Sequence, residues 1–468
     1  MQLGPRAAAY GLAGLVAAAL AGDVLWMPIQ VTDSLGEILD AQRSASAWTS
    51  FTSSFGTEAY LRPLRIAEIK ALFDAAAGEH YWLVYRGFHA VLVLAATFLF
   101  VGAMRVTTWV DAAAAAFGLA VLTGLHTFRG TVQEAFPINH FLEIAVCCLA
   151  ALNLARSRGG WWSDAAAVTL FAAAVLTLES GVLVWVVAAA AWTGGWRGVS
   201  SRGLAVMTVC LCAYLYARFG YLSTGVPTLA ERSSGYLLAI LDPPELEQRF
   251  GAYPWLFYGY NVGASMMSVL FSEPQAGVFA AVRAWLDDRV MPRVVIPLAT
   301  SLATTALIVW AAAGPVRRRE WSDGQRLIAL GAAVIAANAV LSFAYTKDEV
   351  MSTAGVFYAL AAYAGMRTAL TSPQTGRTRA FLVPILLCVL ACGWAVRAAG
   401  LHYVLRSQAI KHQVDWVELP GRWQRSGQWP HDPRQRELVL RLRQEAVHLA
   451  IPNTRIDRPE WPARLWSE

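Results

Sequence analysis

The sequence predicts an all-α membrane protein, a bundle of about eleven transmembrane helices with long outer loops and a small C-terminal tail outside the membrane. Of its 468 residues, 56% are hydrophobic and only 15% are charged, and the mean hydropathy is +0.43. A soluble protein of this length carries about 25% charged residues. Apolar runs close to the roughly 20 residues that cross the hydrocarbon layer recur along the chain. Much of the chain is therefore expected to lie in lipid.

The predicted spans follow one another from the N-terminal region to residue 396. They are Ala7–Leu25, Trp82–Met104, Ala112–Leu125, Phe141–Leu154, Ala165–Leu178, Gly181–Trp192, Leu204–Tyr216, Val294–Ala313, Leu327–Phe343, Met351–Met366 and Phe381–Val396. We keep the first span as an anchor, because its alanine-rich composition does not establish a signal-peptide cleavage site. This pattern predicts a transmembrane domain over residues 1–400 and a C-terminal extramembrane tail over residues 401–468.

The arginines in the short loops predict the orientation, because cytoplasmic loops carry an excess of Lys and Arg. They are Arg105, Arg156, Arg158, Arg197, Arg202, Arg317, Arg318, Arg319, Arg367, Arg377 and Arg379. All share one side if Ala165 to Trp192 is a hairpin that turns at Glu179. A single long helix would put Arg158 and Arg197 on opposite sides. The hairpin predicts a cytoplasmic N-terminus and an external C-terminus, in a bacterial-type cytoplasmic (inner) membrane.

The longest connections then fall on the outer side, at residues 31–81 and 220–293 and in the tail. Within the second, Phe279, Val282 and Trp285 share one helical face, which predicts an amphipathic helix either in the membrane interface or packed on the bundle.

The six cysteines all fall in predicted spans without metal-site spacing and are expected to be apolar fillers. The net charge of +6 fits anionic lipid or phosphate partners, and no nucleic-acid-binding motif occurs.

Ionisable residues at the outer membrane boundary are the candidates for chemistry, because charges near lipid are costly. Asp33 follows the first span and could act as general base on an acceptor hydroxyl, or help to hold a divalent cation. The alternative is that it caps a helix. In the next outer loop, His126, Arg129, Glu134 and His140 form a denser polar group than membrane anchoring requires.

Glu179 is a third candidate, because it lies at the predicted hairpin turn among apolar residues. A carboxylate there needs a partner, and Arg129 or Lys347 could supply it. The alternative is an ordinary turn carboxylate in the headgroup zone. Lys347, in the turn between the ninth and tenth spans, and Arg232, in the long outer loop, are candidates for a lipid phosphate. Charged turns without such a role are the alternative for both.

Motifs in the N-terminal part of the chain share their order with a known family. Tyr60, Arg62, Pro63, Leu64, Phe73, Tyr85 and His89 occur in sequence, with Leu61 as an additional residue inside the first string. Gly130–Ala135 and Thr177–Val182 follow as two further elements. Together they resemble GT-C-type membrane glycosyltransferases of the protein O-mannosyltransferase-like kind.

The resemblance implies an inverting transferase that moves a sugar from a polyprenyl-phosphate carrier to a lipid, glycan or protein acceptor at the outer membrane face. The catalytic aspartate of the family corresponds to Asp33. The residues assigned to substrate and phosphate binding are Arg62, His89, Arg129, Glu134, Glu179, Arg232 and Lys347. The acidic doublet usual in the family is absent. No cofactor is therefore assigned, and a divalent cation stays a candidate without a named site.

Two other classes of function are compatible with the sequence. One is a transporter or flippase of a lipid-linked or small polar substrate, in which His89, Glu179 and Lys347 form a polar pathway. The other is a non-catalytic membrane assembly factor, which the missing acidic doublet and the tryptophan-rich tail favour. A transporter needs its polar residues near the membrane midplane. Most of those in this sequence are predicted at the outer boundary, which favours the transferase.

Overall fold

A computed structural model gives the fold of the protein. It describes residues 4–31, 33–57, 61–133, 139–222, 233–235, 238–272, 278–287, 292–313, 321–372 and 377–449. The described part is almost entirely helical, and each predicted span coincides with a helix. The predicted all-α class is therefore confirmed.

The helices that precede the longest outer connection are α1 (Pro5–Leu25), α2 (Asp33–Arg43), α3 (Ala47–Thr57), α4 (Pro63–Ala75), α5 (Tyr81–Met104), α6 (Trp109–Gly124), α7 (His126–Gln133), α8 (His140–Ala155), α9 (Trp161–Thr177), α10 (Val182–Thr193) and α11 (Ser201–Tyr216). Those that follow are α12 (Pro243–Phe250), α13 (Trp255–Phe271), α14 (Val278–Leu286), α15 (Pro292–Ala313), α16 (Asp323–Leu341), α17 (Ser352–Thr371), α18 (Arg377–Ser426) and α19 (Pro433–His448). The short strands β1 (Ser233–Gly235) and β2 (Leu238–Leu241) pair antiparallel.

Six helices in the described part are long and apolar enough to cross a membrane. They are Pro5–Leu25, Tyr81–Met104, Ser201–Tyr221, Arg293–Ala313, Asp323–Leu341 and Pro384–Ser426. Four shorter apolar helices accompany them, at Trp109–Gly124, His140–Ala155, Trp161–Thr177 and Glu179–Thr193. Such a set of long apolar helices indicates a membrane protein.

The helical structure is interrupted between α9 and α10, where the sequence predicts a hairpin. Leu178 has an extended backbone, and Glu179–Gly181 forms a single 3₁₀ turn. Gly181 lies so close to α9 that a Cβ atom there would be 2.2 Å from the carbonyl carbon of Ala174. Only glycine fits at this position without displacing the backbone. Helices α9 and α10 contact each other and do not form one continuous helix.

Helix α17 lies at the centre of the bundle. Every residue from 352 to 366 is buried, and the helix packs against α5, α6, α8, α15 and α16. Small residues permit this, as they do in other membrane helices that approach closely. A Cβ at Gly355 would be 2.4 Å from the Thr127 hydroxyl, and the OH of Tyr363 donates to the carbonyl of Met104 at 2.9 Å.

Two of the loop arginines are held in ion pairs. Arg156 donates to the carbonyl of Ala103 at 2.7 Å and to the carboxylate of Asp323 at 2.5 Å. Arg367 donates to Asp111 at 2.6 Å. The Asp111 carboxylate also accepts from backbone amides at the start of α6, which closes a capping box. These contacts tie together helix ends that lie far apart in the sequence.

The predicted first outer loop is largely helical. Pro63 stands at the first position of α4, where its missing N–H is not needed. Helices α2 and α4 pack with the start of α5, with α19 and with residues around Trp416 of α18 in one apolar cluster. The carboxylate of Glu445 accepts from the backbone N–H of Trp82 at 2.9 Å, so α19 also caps α5. A hydrophobic unit outside the long spans is thereby attached to one end of the bundle.

Two other predicted features have clear positions. Helix α18 is continuous over 50 residues, so the predicted domain boundary between residues 400 and 401 lies inside it. Helix α14 falls within the predicted amphipathic segment, and its Trp285 is 69% exposed.

Candidate functional site

One face of α4 concentrates the ionisable residues of the site. Arg62, Arg65 and Glu68 follow one another at intervals of three residues, which places them along one side of a helix. The face is turned toward the bundle, because α4 contacts both α2 and α9. Each of the three side chains meets a different element, and we call this set the α4 polar face.

Arg62, at the N-terminal end of α4, is bound to Glu179. Its Nε lies 3.0 Å from both carboxylate oxygens, and its Nη2 lies 2.7 Å from Oε2. Arg218, from the π-helical turn after α11, approaches the other side of the carboxylate, with Nη1 3.2 Å from Oε1. The sequence suggested Arg129 or Lys347 as the partner of Glu179. The structure shows Arg62 and Arg218 in that position instead. Arg62 reaches Glu179 because α4 packs against α9, and Arg218 reaches it from the end of α11, which also packs against α9.

The group of two arginines on one carboxylate is partly open to solvent. The exposed fractions of the side chains are 26% for Arg62, 22% for Glu179 and 14% for Arg218. Two guanidinium groups meet at this one carboxylate. Partly exposed arginines of this kind suit an anionic ligand.

Arg65 and Glu68 occupy the next positions of the α4 polar face. Arg65 is ion-paired with Glu37 of α2. Glu68 lies opposite the first turn of α8, where Nδ1 of His140 is 2.9 Å from Oε2 of Glu143 and 4.0 Å from Oε2 of Glu68. Burial, and then the neighbouring carboxylate of Glu143, raise the pKa of Glu68 to about 9. Two carboxylates and an imidazole thus share a largely buried space.

The sequence groups His140 with His126, Arg129 and Glu134, but the structure gives His140 other partners than those of His126 and Arg129. His140 begins α8 after the N-cap residue Asn139, and it faces α4. His126 and Arg129 belong to α7 and contact other residues. The grouping was wrong for His140 because α7 and α8 are separate helices, and residues close together in the sequence contact different parts of the protein.

Arg129 forms a second polar group with Asp23 and His402. Its Nη2 lies 3.3 Å from the Asp23 carboxylate, which His402 also approaches to 3.0 Å through Nδ1. Burial lowers the pKa of Arg129, an effect that Asp23 opposes. Asp23 and His402 line a cavity of about 290 Å³ between α1 and α18, whose other walls include Trp26 and Leu405. Arg129 is 3% exposed, so it supports Asp23 more directly than it faces any solvent-borne ligand.

The turn before α17 carries the third group. Asp348 lies 3.4 Å from Nε2 of His126, whose Nδ1 is 3.5 Å from Nη2 of Arg397. Arg397 is buried and donates to the hydroxyl of Ser272 at 2.8 Å. Lys347 lies over the ring of Tyr345, with Nζ 5.2 Å from its centroid. Lys347 is therefore close to this group but is not part of the contact with Glu179.

His89, which the resemblance assigned to substrate and phosphate binding, lies inside α5 and is fully buried. Neither ring nitrogen has a hydrogen-bond partner in the described part of the chain. Arg86, one turn earlier, donates to the carbonyls of Met27 and Pro28 and so anchors the end of α1. Arg86 thereby joins α5 to the residues that follow α1.

Three predicted residues are only partly covered or not covered by the structure. Asp33 is the first residue of α2, and its side chain lies outside the described part. Glu134 and Arg232 lie outside the described residues.

Sequence analysis also missed four members of the site, which are Arg65, Glu68, Glu143 and Arg218. The spacing of Arg62, Arg65 and Glu68 was the available signal for α4.

Comparison with known proteins does not assign the chain to a group: no family, no curated protein and no solved structure matches it.

Proposed function

We propose that the protein is an inverting membrane glycosyltransferase of the GT-C type. It would move a sugar from a polyprenyl-phosphate carrier to an acceptor at the outer membrane face. The observation that carries the proposal is the convergence of the guanidinium groups of Arg62 and Arg218 on the carboxylate of Glu179, where two partly exposed arginines meet at a helix boundary. A departing polyprenyl phosphate is an anion that needs such a group at a place where its lipid tail can stay in the membrane.

The proposed topology has eleven transmembrane helices, with the N-terminus cytoplasmic and the C-terminus outside. It assigns one crossing each to α1, α5, α6, α8, α9, α10, α11, α15, α16, α17 and α18. The short basic loops then share the cytoplasmic side. The α4 polar face, the α9–α10 turn and the first turn of α8 share the outer side, where the carrier's sugar would be available in a bacterial-type inner membrane.

In the proposed reaction, Asp33 accepts the proton of the acceptor hydroxyl as its oxygen attacks the anomeric carbon of the sugar. The bond between that carbon and the phosphate oxygen breaks, and the configuration at the carbon inverts. The carrier phosphate leaves with the bonding electrons, and Arg62 and Arg218 stabilise its charge. Lys347 and Arg232 remain proposed as further contacts to the lipid phosphate. The acceptor is a lipid, a glycan or a protein.

A transporter is less well supported by these positions. Three of the described carboxylates lie near helix ends, Asp23 close to the end of α1, Glu143 in the first turn of α8 and Glu179 between α9 and α10, whereas His89 lies inside α5. Transporters of the common folds bind their substrates near the membrane midplane. The sites described here fit chemistry at a boundary better than passage through the bundle.

The test is a transfer assay with the purified full chain in liposomes. Labelled polyprenyl-phosphate mannose and polyprenyl-phosphate glucose are supplied with a membrane extract as acceptor pool, and the release of polyprenyl phosphate is measured. We expect release with one of the two donors. Asp33→Asn should lower it by about 10²–10⁴-fold, the usual contribution of a positioned base.

Asp40→Asn is the matched control, because Asp40 is also an α2 carboxylate but is 68% exposed and paired only along its own helix with Arg43. It should retain the wild-type rate. If neither donor releases its carrier phosphate, the transferase proposal is rejected. Accumulation of intact donor on the opposite side of the liposome would indicate a flippase instead. Near-normal release by Asp33→Asn would move the base to Asp23 or Glu37.

A further inference from the structure

We infer that Glu68, His140 and Glu143 form a binding site for one divalent transition-metal ion of the Zn²⁺ or Mn²⁺ type. One ligand atom from each residue lies within 4.8 Å of the other two. The residues come from two elements, α4 and the first turn of α8, so the fold converges on the site from two directions. The inference does not depend on the proposed transferase activity.

The separations of the ligand atoms fit one ion. Zn²⁺ binds imidazole nitrogen and carboxylate oxygen at about 2.0–2.2 Å. Two ligands of one such ion are then about 3.0–3.5 Å apart for angles between 90° and 109°. The distances from Nδ1 of His140 to the Oε2 atoms of Glu143 and Glu68 are 2.9 and 4.0 Å, which lie on either side of that interval. A shift of Glu68 by about half an ångström would close the site.

Unsatisfied polar atoms at the site provide a second, independent observation. Oε2 of Glu68 is a buried oxygen that accepts no hydrogen bond from an N–H or hydroxyl group in the described part of the chain; its neighbour is the carboxyl group of Glu143, with which it must share a proton or an ion. His140 is 4% exposed, and its Nε2 likewise has no partner there. Buried polar atoms are satisfied in the great majority of cases, so a missing partner calls for an explanation. An ion between the carboxylates would supply it for Glu68.

The charges favour a cation as well. Two carboxylates in a buried space repel each other, and one of them must take a proton or share a positive ion. The neighbouring arginines of α4 are engaged with different carboxylates, Arg65 with Glu37 and Arg62 with Glu179. One divalent ion would bring the charge of Glu68 and Glu143 to zero without drawing on either arginine.

The donor set points to a transition metal. One imidazole nitrogen with two carboxylate oxygens suits Zn²⁺ or Mn²⁺, whereas sites for Mg²⁺ and Ca²⁺ are built from oxygen donors. Three protein ligands also leave a coordination position open, as in sites where the metal contacts water or a substrate. The ion would replace the proton on Nδ1 of His140 and would fasten α4 to α8.

The test measures bound metal directly. The full chain is purified in detergent, stripped with a chelator, incubated separately with Zn²⁺, Mn²⁺ and Mg²⁺, desalted and submitted to elemental analysis. We expect about one Zn²⁺ or Mn²⁺ per chain and far less Mg²⁺. Glu68→Gln and Glu143→Gln keep the size of the side chain and should each weaken binding at least about tenfold.

His402→Gln is the matched control. His402 also places Nδ1 about 3.0 Å from a carboxylate, that of Asp23, but this carboxylate is already paired with Arg129. This variant should bind metal as the wild type does. For bound Mn²⁺, spin-echo modulation from a nitrogen nucleus would report the imidazole ligand and should disappear in His140→Gln.

Three outcomes would overturn the inference. They are a stripped protein that retains none of the three ions, retention that is unchanged in both glutamine variants, and equal loss in the His402 control. The first would mean that a proton on Glu68 neutralises the pair. Because the readout is the metal content, a failure of the transferase assay leaves this result unaffected, and the reverse also holds.

Discussion

The shared carboxylate of Glu179 leads to a prediction about the order of two destabilising substitutions. Glu179→Gln removes the carboxylate that Arg62 and Arg218 share, so that two guanidinium groups each lose an ion-pair partner. Arg62→Ala leaves a one-to-one pair between Glu179 and Arg218, at 3.2 Å. The first variant should therefore lose more stability than the second, although the second removes all three hydrogen bonds between Arg62 and Glu179.

The magnitudes follow from burial. Removing one partner of a fully buried ion pair costs about 3–5 kcal/mol. The side chains of Arg62 and Glu179 are 26% and 22% exposed, and solvent screens such partly open groups. We expect a loss of about 2–3 kcal/mol for Glu179→Gln and about 1 kcal/mol for Arg62→Ala. Arg62→Lys should fall between wild type and alanine, because the ammonium keeps the charge but not the planar fork.

The assay is chemical unfolding of the purified variants in detergent micelles, with helicity as the signal. The double variant Arg62→Ala with Glu179→Gln completes a mutant cycle, and a coupling energy of about 0.5–3 kcal/mol is expected for residues in contact. The reasoning is refuted if Arg62→Ala is as destabilising as Glu179→Gln, or if the cycle gives no coupling. Either result would mean that the carboxylate is not shared in solution.

Two further predictions concern topology and packing. A reporter fused after Gly427, between α18 and α19, should lie on the outer side of the membrane, and a reporter fused after Ala313 should lie on the cytoplasmic side. The opposite pattern would invert the proposed orientation. Gly198→Ala should destabilise the protein by about 1–3 kcal/mol or prevent folding, because its Cβ would lie 2.0 Å from the carbonyl oxygen of Leu154. Gly87→Ala, where no atom lies within 4 Å of the added Cβ, should leave the melting temperature unchanged or raise it, and a loss equal to that of Gly198→Ala would contradict the packing argument.

The positions of the helices were largely predictable because length and hydropathy determine them locally. Each apolar run became a helix, and the break at Glu179 followed from the arginines on either side of it. In residues 33–57 and 61–75 the sequence indicated a helix only through the alternative that Asp33 caps one, because this segment lacks long apolar runs. Helices α2 and α4 are stabilised by packing against α5, α18 and α19, which sequence periodicity alone does not reveal.

The sequence singled out some of the residues that the structure brings together, but it did not indicate their contacts. Arg62 and Glu179 were both singled out, but 117 residues separate them, and nothing in the local pattern pairs them. Arg397 follows directly after a predicted span and was passed over. The structure places it in the interior, where the hydroxyls of Ser272 and Ser301 accept from its guanidinium group at 2.8 and 2.9 Å. Such contacts depend on how helices are arranged around one another, which a single sequence leaves open.

The enclosure of α17 has a consequence for how the protein responds to bilayer thickness. Lipid cannot adjust the depth of a helix whose residues 352–366 are all covered by protein. Its depth is set by contacts such as the bond from Tyr363 to Met104. A thinner or thicker bilayer acts on the lipid-facing helices, which respond by tilting. Distances between α17 and its neighbours should therefore stay nearly constant across lipid compositions, while the peripheral helices change their inclination around this fixed axis.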